Sequence, residues 1–188
     1  MENKILLINA CIRSDSRTLE LSRYLISNLK GDVTEVNLYK ENILPISEEG
    51  LLKREMRDYS GEEFKFAKEF RDADIIIVAA PFWDLSFPSV LKVYFENITV
   101  SGLTFEYAGK GRTVGKCNAK KLCYVTTSGG YIGENNFGFE YVSALAKNFF
   151  GIEDVRFYSA EGLDISGADI KAIMEKAKNE IGKGVKND

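Results

Sequence analysis

The segment DIIIVAA, residues 74–80, is an unbroken run of β-branched and small apolar residues with no polar alternation. A strand of that composition needs cover on both faces, and a sheet buried between two layers provides it. KILLINA at 4–10 and KKLCYVTT at 120–127 make the same demand. DVTEVNL at 32–38, with Val33, Val36 and Leu38, and DVRFYSAEG at 154–162 are weaker strand signals. Helical patterns stand between these runs. Ser16 precedes Leu21, Leu25 and Leu29 at four-residue spacing, and Gly31 stops that pattern. GEEFKFAKEFRDA at 61–73 aligns Phe66, Ala67 and Phe70 on one face. Pro88 opens a helix with Leu91, Tyr94, Phe95 and Ile98 in a stripe, proline being suited to a first helical turn. FEYVSALAKNFF at 139–150 reads as a helix stopped by Gly151. The last helix follows Ser166, with Asp169 three residues on as a capping partner. It turns Ile170, Ile173, Met174, Ala177 and Ile181 inward. Residues 39–60 read as a polar connection, helical in part.

Strands alternating with helices predict an α/β fold: a doubly wound, five-stranded parallel sheet with helices on both faces, in one domain over residues 1–188. Such sheets bind ligands at the carboxyl ends of their strands, where the winding reverses. Function is therefore expected in the loops 10–18, 81–88 and 127–138.

Composition narrows the chemistry. Histidine is absent, which removes Ser–His–Asp and Cys–His catalysis and histidine metal sites. An enzyme of this sequence works with carboxylates, cysteine, lysine, tyrosine or a cofactor. A net charge of −3 and the lack of a basic cluster argue against nucleic-acid binding. The three cysteines, Cys11, Cys117 and Cys123, form neither a metal pair nor an even disulfide set. A reducing cytoplasm is the expected location. MENKILLINA does not read as a signal peptide, and the longest apolar run falls far short of the ~20 residues of a membrane span.

The first loop, CIRSDSRT, offers hydroxyls at Ser14, Ser16 and Thr18, guanidinium groups at Arg13 and Arg17, and the free amides of a helix start. Together they suit an anion. The plain alternative is a helix cap at Ser16 with solvated arginines. The second loop, PFWDLSFP, carries Phe82 and Trp83 where a flat conjugated ring could stack, or where a core or dimer contact could form. In the third, TTSGGYIGENNFG, Gly129 and Gly130 allow backbone amides close to a ligand and a developing charge, or form a flexible turn.

The segments SRT, AAPFWDLSFPSVLKVYFENI, SGLTFEY, VTTSGG and GIEDVRFYSAEG together resemble the FMN-dependent NAD(P)H azoreductase and quinone reductase family, nearly from end to end. That resemblance implies a flavodoxin-like fold and FMN as cofactor. It implies NADH or NADPH as donor and a small electron-poor aromatic acceptor: a quinone, azo compound or nitroaromatic. It also implies a ping-pong order and a homodimer with the flavin near the interface. By the same resemblance Ser16, Arg17 and Thr18 hold the phosphate, where Cys11 stands in place of a serine and Arg13 compensates. Pro81, Phe82, Trp83, Asp84 and Leu85 line the isoalloxazine ring. Thr127, Ser128, Gly129 and Gly130 hold its pyrimidine end. GLTFEYAGKGRTVG helps form the pocket across the dimer interface. No side chain need be catalytic; water or Tyr131 serves as proton source. Asp84 and Trp83 depart from the family's usual asparagine and tyrosine.

Two rivals remain. Cys11 and Arg17 have the spacing of a low-molecular-weight phosphatase loop, with a thiolate nucleophile and Asp164 as acid. IRSDS lacks the glycine that such a loop uses to wrap an oxyanion. A flavodoxin-like carrier without catalysis is the other, and the weak acidity argues against it.

Overall fold

Each long apolar run becomes a strand covered on both faces. The computed structural model describes residues 2–186; the ends of the expected 1–188 domain, Met1 and 187–188, lie outside the described residues. In chain order the elements are β1 (Asn3–Asn9), α1 (Arg17–Ser27), β2 (Gly31–Asn37), α2 (Glu48–Glu55), α3 (Lys65–Asp72) and β3 (Ile75–Ala79). There follow α4 (Ser89–Ile98), β4 (Phe105–Ala108), β5 (Arg112–Gly115), β6 (Lys121–Thr127), α5 (Phe137–Leu145), β7 (Asp154–Ala160) and α6 (Ile170–Lys186). Five strands form one parallel sheet in the order β2-β1-β3-β6-β7. The winding reverses between β1 and β3, as the doubly wound expectation requires.

Alternation within the strands splits the core in two. Leu6, Ile8, Ile76, Val78, Leu122 and Tyr124 face one layer, with Phe70 of α3, Leu91, Tyr94 and Phe95 of α4 and Val142 of α5. Ile5, Leu7, Ile77, Ala79, Cys123 and Val125 face the other, with Leu21 and Leu25 of α1 and Met174, Ala177 and Ile181 of α6. Both faces of the central strands are therefore dry, which is why their sequences do not alternate.

Several boundaries differ from expectation. The first helix ends at Asn28, and Gly31 begins β2 instead of stopping the helix. Val33 is exposed because β2 is an edge strand; Val36 and Leu38 are buried. Of the expected face Phe66, Ala67 and Phe70, the last two are buried and Phe66 packs only partly, while Phe64, in a short 3₁₀ turn before α3, is buried as well. Asp169, not Ser166, caps α6: its Oδ1 accepts from the Ala172 amide at 3.0 Å. Ile170 stays exposed. α5 ends in a π turn, Ala146–Phe150, closed by Gly151 in the left-handed region at φ 75°. The helical part expected within the polar connection is α2, whereas the antiparallel β4–β5 hairpin was unforeseen. No helix among the described residues is long and apolar enough to cross a membrane.

Candidate functional site

The sheet's hydrogen bonding runs past the strand ends and fixes where the three loops begin. The amides of Ala10, Ala80, Phe82 and Ser128 donate to the carbonyls of Ala79, Val125, Thr127 and Ala160. Asn9, buried at the end of β1, turns the first loop: its Oδ1 accepts from the Cys11 amide at 2.9 Å and its Nδ2 donates to Glu35 at 2.8 Å. Sequence reasoning passed over Asn9, although an asparagine at a strand end is a turn signal.

At the head of α1, Ser16 is the cap, with Oγ accepting from the Leu19 amide at 3.4 Å. Its hydroxyl also lies within hydrogen-bonding reach of the Cys11 thiol. The Thr18 and Thr127 hydroxyls meet at 2.6 Å, tying α1 to the end of β6 and leaving one of the two protons unspent. The Arg17 and Thr18 amides donate to no acceptor among the described residues, and Arg13 is exposed without an ion pair there. Arg17 turns aside: its guanidinium lies 3.8 Å from the Asp164 carboxylate.

Cys11 is not poised as a nucleophile. The residue is 4% exposed, and its Sγ donates to the Ala79 carbonyl at 3.6 Å. Burial pushes the thiol above its ordinary range. A buried thiol held to a carbonyl stays protonated at neutral pH, and its arginine is engaged elsewhere. The phosphatase reading fails on both counts.

The second loop makes a tight turn. Trp83 and Ser86 exchange amide-to-carbonyl bonds of 3.1 and 2.7 Å around Asp84 and Leu85, at φ 49° and 64°. Positive φ at both central residues is the I′ geometry, unusual for a leucine. The Phe137 amide anchors it by donating to the Leu85 carbonyl at 3.1 Å. The turn presents Trp83 with 44% of its surface open.

In the third loop Ser128 is spent on shape, its Oγ donating to the Gly130 carbonyl at 2.6 Å. The carbonyls of Ser128, Gly129 and Gly130 accept from Leu163, Asp164 and Gly162. The amides of Gly129 and Gly130 donate to nothing among the described residues. A Cβ on Gly129 would collide with the Asp164 carboxylate, whereas one on Gly130 would meet nothing.

These loops enclose a cleft of about 350 Å³ lined by Cys11, Arg13, Ser16, Thr18, Pro81, Trp83 and Thr127, with Ile12 in addition. Arg17, Phe82, Asp84, Leu85, Ser128, Gly129 and Gly130 flank it without lining it. The donor set fits FMN. Two helix-start amides, two hydroxyls and Arg13 suit a phosphate, and an open indole with two unspent glycine amides suits the ring.

The model of the flavodoxin-like fold family matches residues 3–185. This chain belongs to that family. The expected flavodoxin-like, doubly wound fold is therefore the observed one. Among relatives of the family, the FMN-dependent NADH:quinone oxidoreductase of Coprothermobacter proteolyticus is 35% identical over 179 residues, spanning 88% of this chain and 89% of the relative. The FMN-dependent NADH:quinone oxidoreductase 2 of Clostridium acetobutylicum is 34% identical over 197 residues, spanning 95% and 98%. An FMN-dependent NADH-azoreductase from Bacillus anthracis, solved in complex with FMN, superposes with a TM-score of 0.81 over 98% of each chain at 22% identity. That likeness speaks for the shared fold.

Proposed function

We propose that this protein is an FMN-dependent NADH oxidoreductase acting on quinones and azo compounds. The observation that carries the reading is the convergence of three sheet-end loops on one cleft with phosphate donors at one end and an open indole at the other. The named activities of the family members agree with it. Ser16, Thr18 or Thr127, Arg13 and the Arg17 and Thr18 amides hold the phosphate. Trp83 and the Asp84–Leu85 turn bear on the ring, and the Gly129 and Gly130 amides face its pyrimidine end. Held there, FMN would supply the hydride-accepting and two-electron-donating chemistry that links the nicotinamide donor to the acceptor. The protein's part is to position the ring, exclude water beside Trp83 and present amides to developing negative charge. Donor and acceptor use the same exposed face in turn, which implies ping-pong kinetics and admits nitroaromatics by the same stacking. A non-catalytic carrier would need no such open face.

We further infer a homodimer. The β4–β5 hairpin lies between the end of α4 and the start of β6, so it stands at the amino-terminal end of the parallel sheet, away from its own cleft. Its Tyr107 and Val114 are exposed. Only in a second copy can this hairpin border a cleft. Equilibrium sedimentation is expected to return twice the chain mass; a monomer at micromolar concentration overturns the dimer.

Purified protein is expected to be yellow with flavin absorption bands. A Cβ at Gly130 meets open space, so Gly130→Val should fold as the parent does yet lose most bound flavin. Full occupancy in that variant removes the role given to this loop. A parent that stays colourless after incubation with excess FMN removes the function.

A further inference from the structure

A second cleft, of about 590 Å³, opens between β7 and the first turns of α6 and begins at Tyr131, the residue after Gly130. That volume is in the range of small-molecule sites. Its two ends differ in chemistry. At one, Tyr131 is 79% exposed. Its ring rests over Gly162: a Cβ built there would lie 3.4 Å from Tyr131 Cε1 and 3.2 Å from Ile165 Cδ1. The ring and the aliphatic tip already cover the bare backbone of Gly162, so the surface left for a flat ring is the outer, exposed face of Tyr131. Small residues, Ala160, Ala168 and Ala177, keep the cleft beside it open. At the other, Lys176 has no ion-pair partner among the described residues, while Lys178 pairs with Glu20 and Glu175.

Two carboxylates complete the lining. Glu161 is occupied: it accepts from the Ile132 amide at 3.1 Å and the Ser159 hydroxyl at 2.8 Å, which braces the chain beside Tyr131. Glu180 is exposed at the far rim. Such a lining suits ribose hydroxyls beside the carboxylates and the diphosphate at Lys176, and repels a phosphate carried on the ribose 2′-hydroxyl. The Gly162 amide donates to the Gly130 carbonyl at 3.0 Å, so this cleft adjoins the loop assigned to the flavin's pyrimidine end.

We propose that this cleft holds the adenosine diphosphate half of the nicotinamide donor, adenine on Tyr131 and phosphate at Lys176, and that its carboxylates select NADH over NADPH. The proposal rests on the FMN reading for the position of the nicotinamide ring.

Isothermal titration of 5′-ADP into the FMN-loaded protein reads the cleft without turnover. Saturable binding is expected, weakened about tenfold by Tyr131→Ala and by Lys176→Glu and retained in Tyr131→Phe. 2′,5′-ADP should bind more weakly than 5′-ADP. In turnover, the preference for NADH over reduced nicotinamide mononucleotide, which lacks the adenosine, should fall by the same factor in the first two variants. No ADP binding, or an affinity indifferent to both substitutions, overturns the subsite; tighter binding of 2′,5′-ADP overturns the selectivity. The visible spectrum separates the two levels. A yellow protein that ignores ADP refutes the subsite alone, and a colourless one refutes the FMN reading beneath it.

Discussion

Thr18 and Thr127 are 109 residues apart, and both look like ligand-binding hydroxyls in the sequence. The fold makes them partners first. Thr18 is fully buried, so its hydroxyl depends on Thr127 for a hydrogen bond. Thr127→Val is therefore expected to cost about 1–3 kcal/mol, the penalty of a buried polar group left unpaired. Thr18→Val with Thr127→Val should recover part of that loss, because neither hydroxyl is then stranded. Urea unfolding of the two single variants and the double variant checks the sign; strictly additive losses would deny the pairing. Cys11 carries the same lesson. Its spacing to Arg17 is legible in the chain, but the burial that raises its thiol and the Asp164 that draws Arg17 away are not.

At the scale of elements, the long buried strands and α4 were legible, and the amphipathic additions less so. Leu91, Tyr94, Phe95 and Ile98 are all buried, as their stripe predicts. α2 buries none of its own residues, so no apolar stripe announces it. Arg54 fastens it instead. Its guanidinium donates to the carbonyls of Glu96, Asn97 and Thr99, at the end of α4, over 3.0–3.4 Å. Burial lowers the pKa of that guanidinium, which stays charged against the negative helix end. Arg54→Ala is expected to cost about 1–3 kcal/mol, and Arg54→Lys to recover less than half, since an ammonium cannot span three carbonyls. Chemical denaturation measures both; a neutral alanine variant would deny the fastening. The β4–β5 hairpin escaped notice because its strands have four residues each and face solvent on one side. Its turn, AGKG, was the available signal.

At the scale of the molecule, the cleft draws on three segments far apart in the chain, linked to one another beyond the sheet by few bonds, among them Thr18–Thr127 and Phe137–Leu85. A ligand gripping all three stabilises the whole chain. FMN at about a hundredfold excess over its dissociation constant should add about 2.7 kcal/mol to unfolding. Thermal melts with and without FMN read this, and Gly130→Val should lose the increment while keeping the melting point of the ligand-free parent. Equal melts with and without FMN in the parent would contradict the assignment of the cleft.

The layer architecture and the working end of the sheet are legible in the chain. Continuous apolar strands require two covering layers, and parallel connections bring their loops to one rim. The tertiary structure alone decided which side chains reach the cleft. Arg17 and Thr18 are adjacent in the chain, yet one turns to Asp164 and the other to Thr127. Their partners come from β6 and from the loop after β7, and contacts between residues more than a hundred positions apart leave no trace in local periodicity.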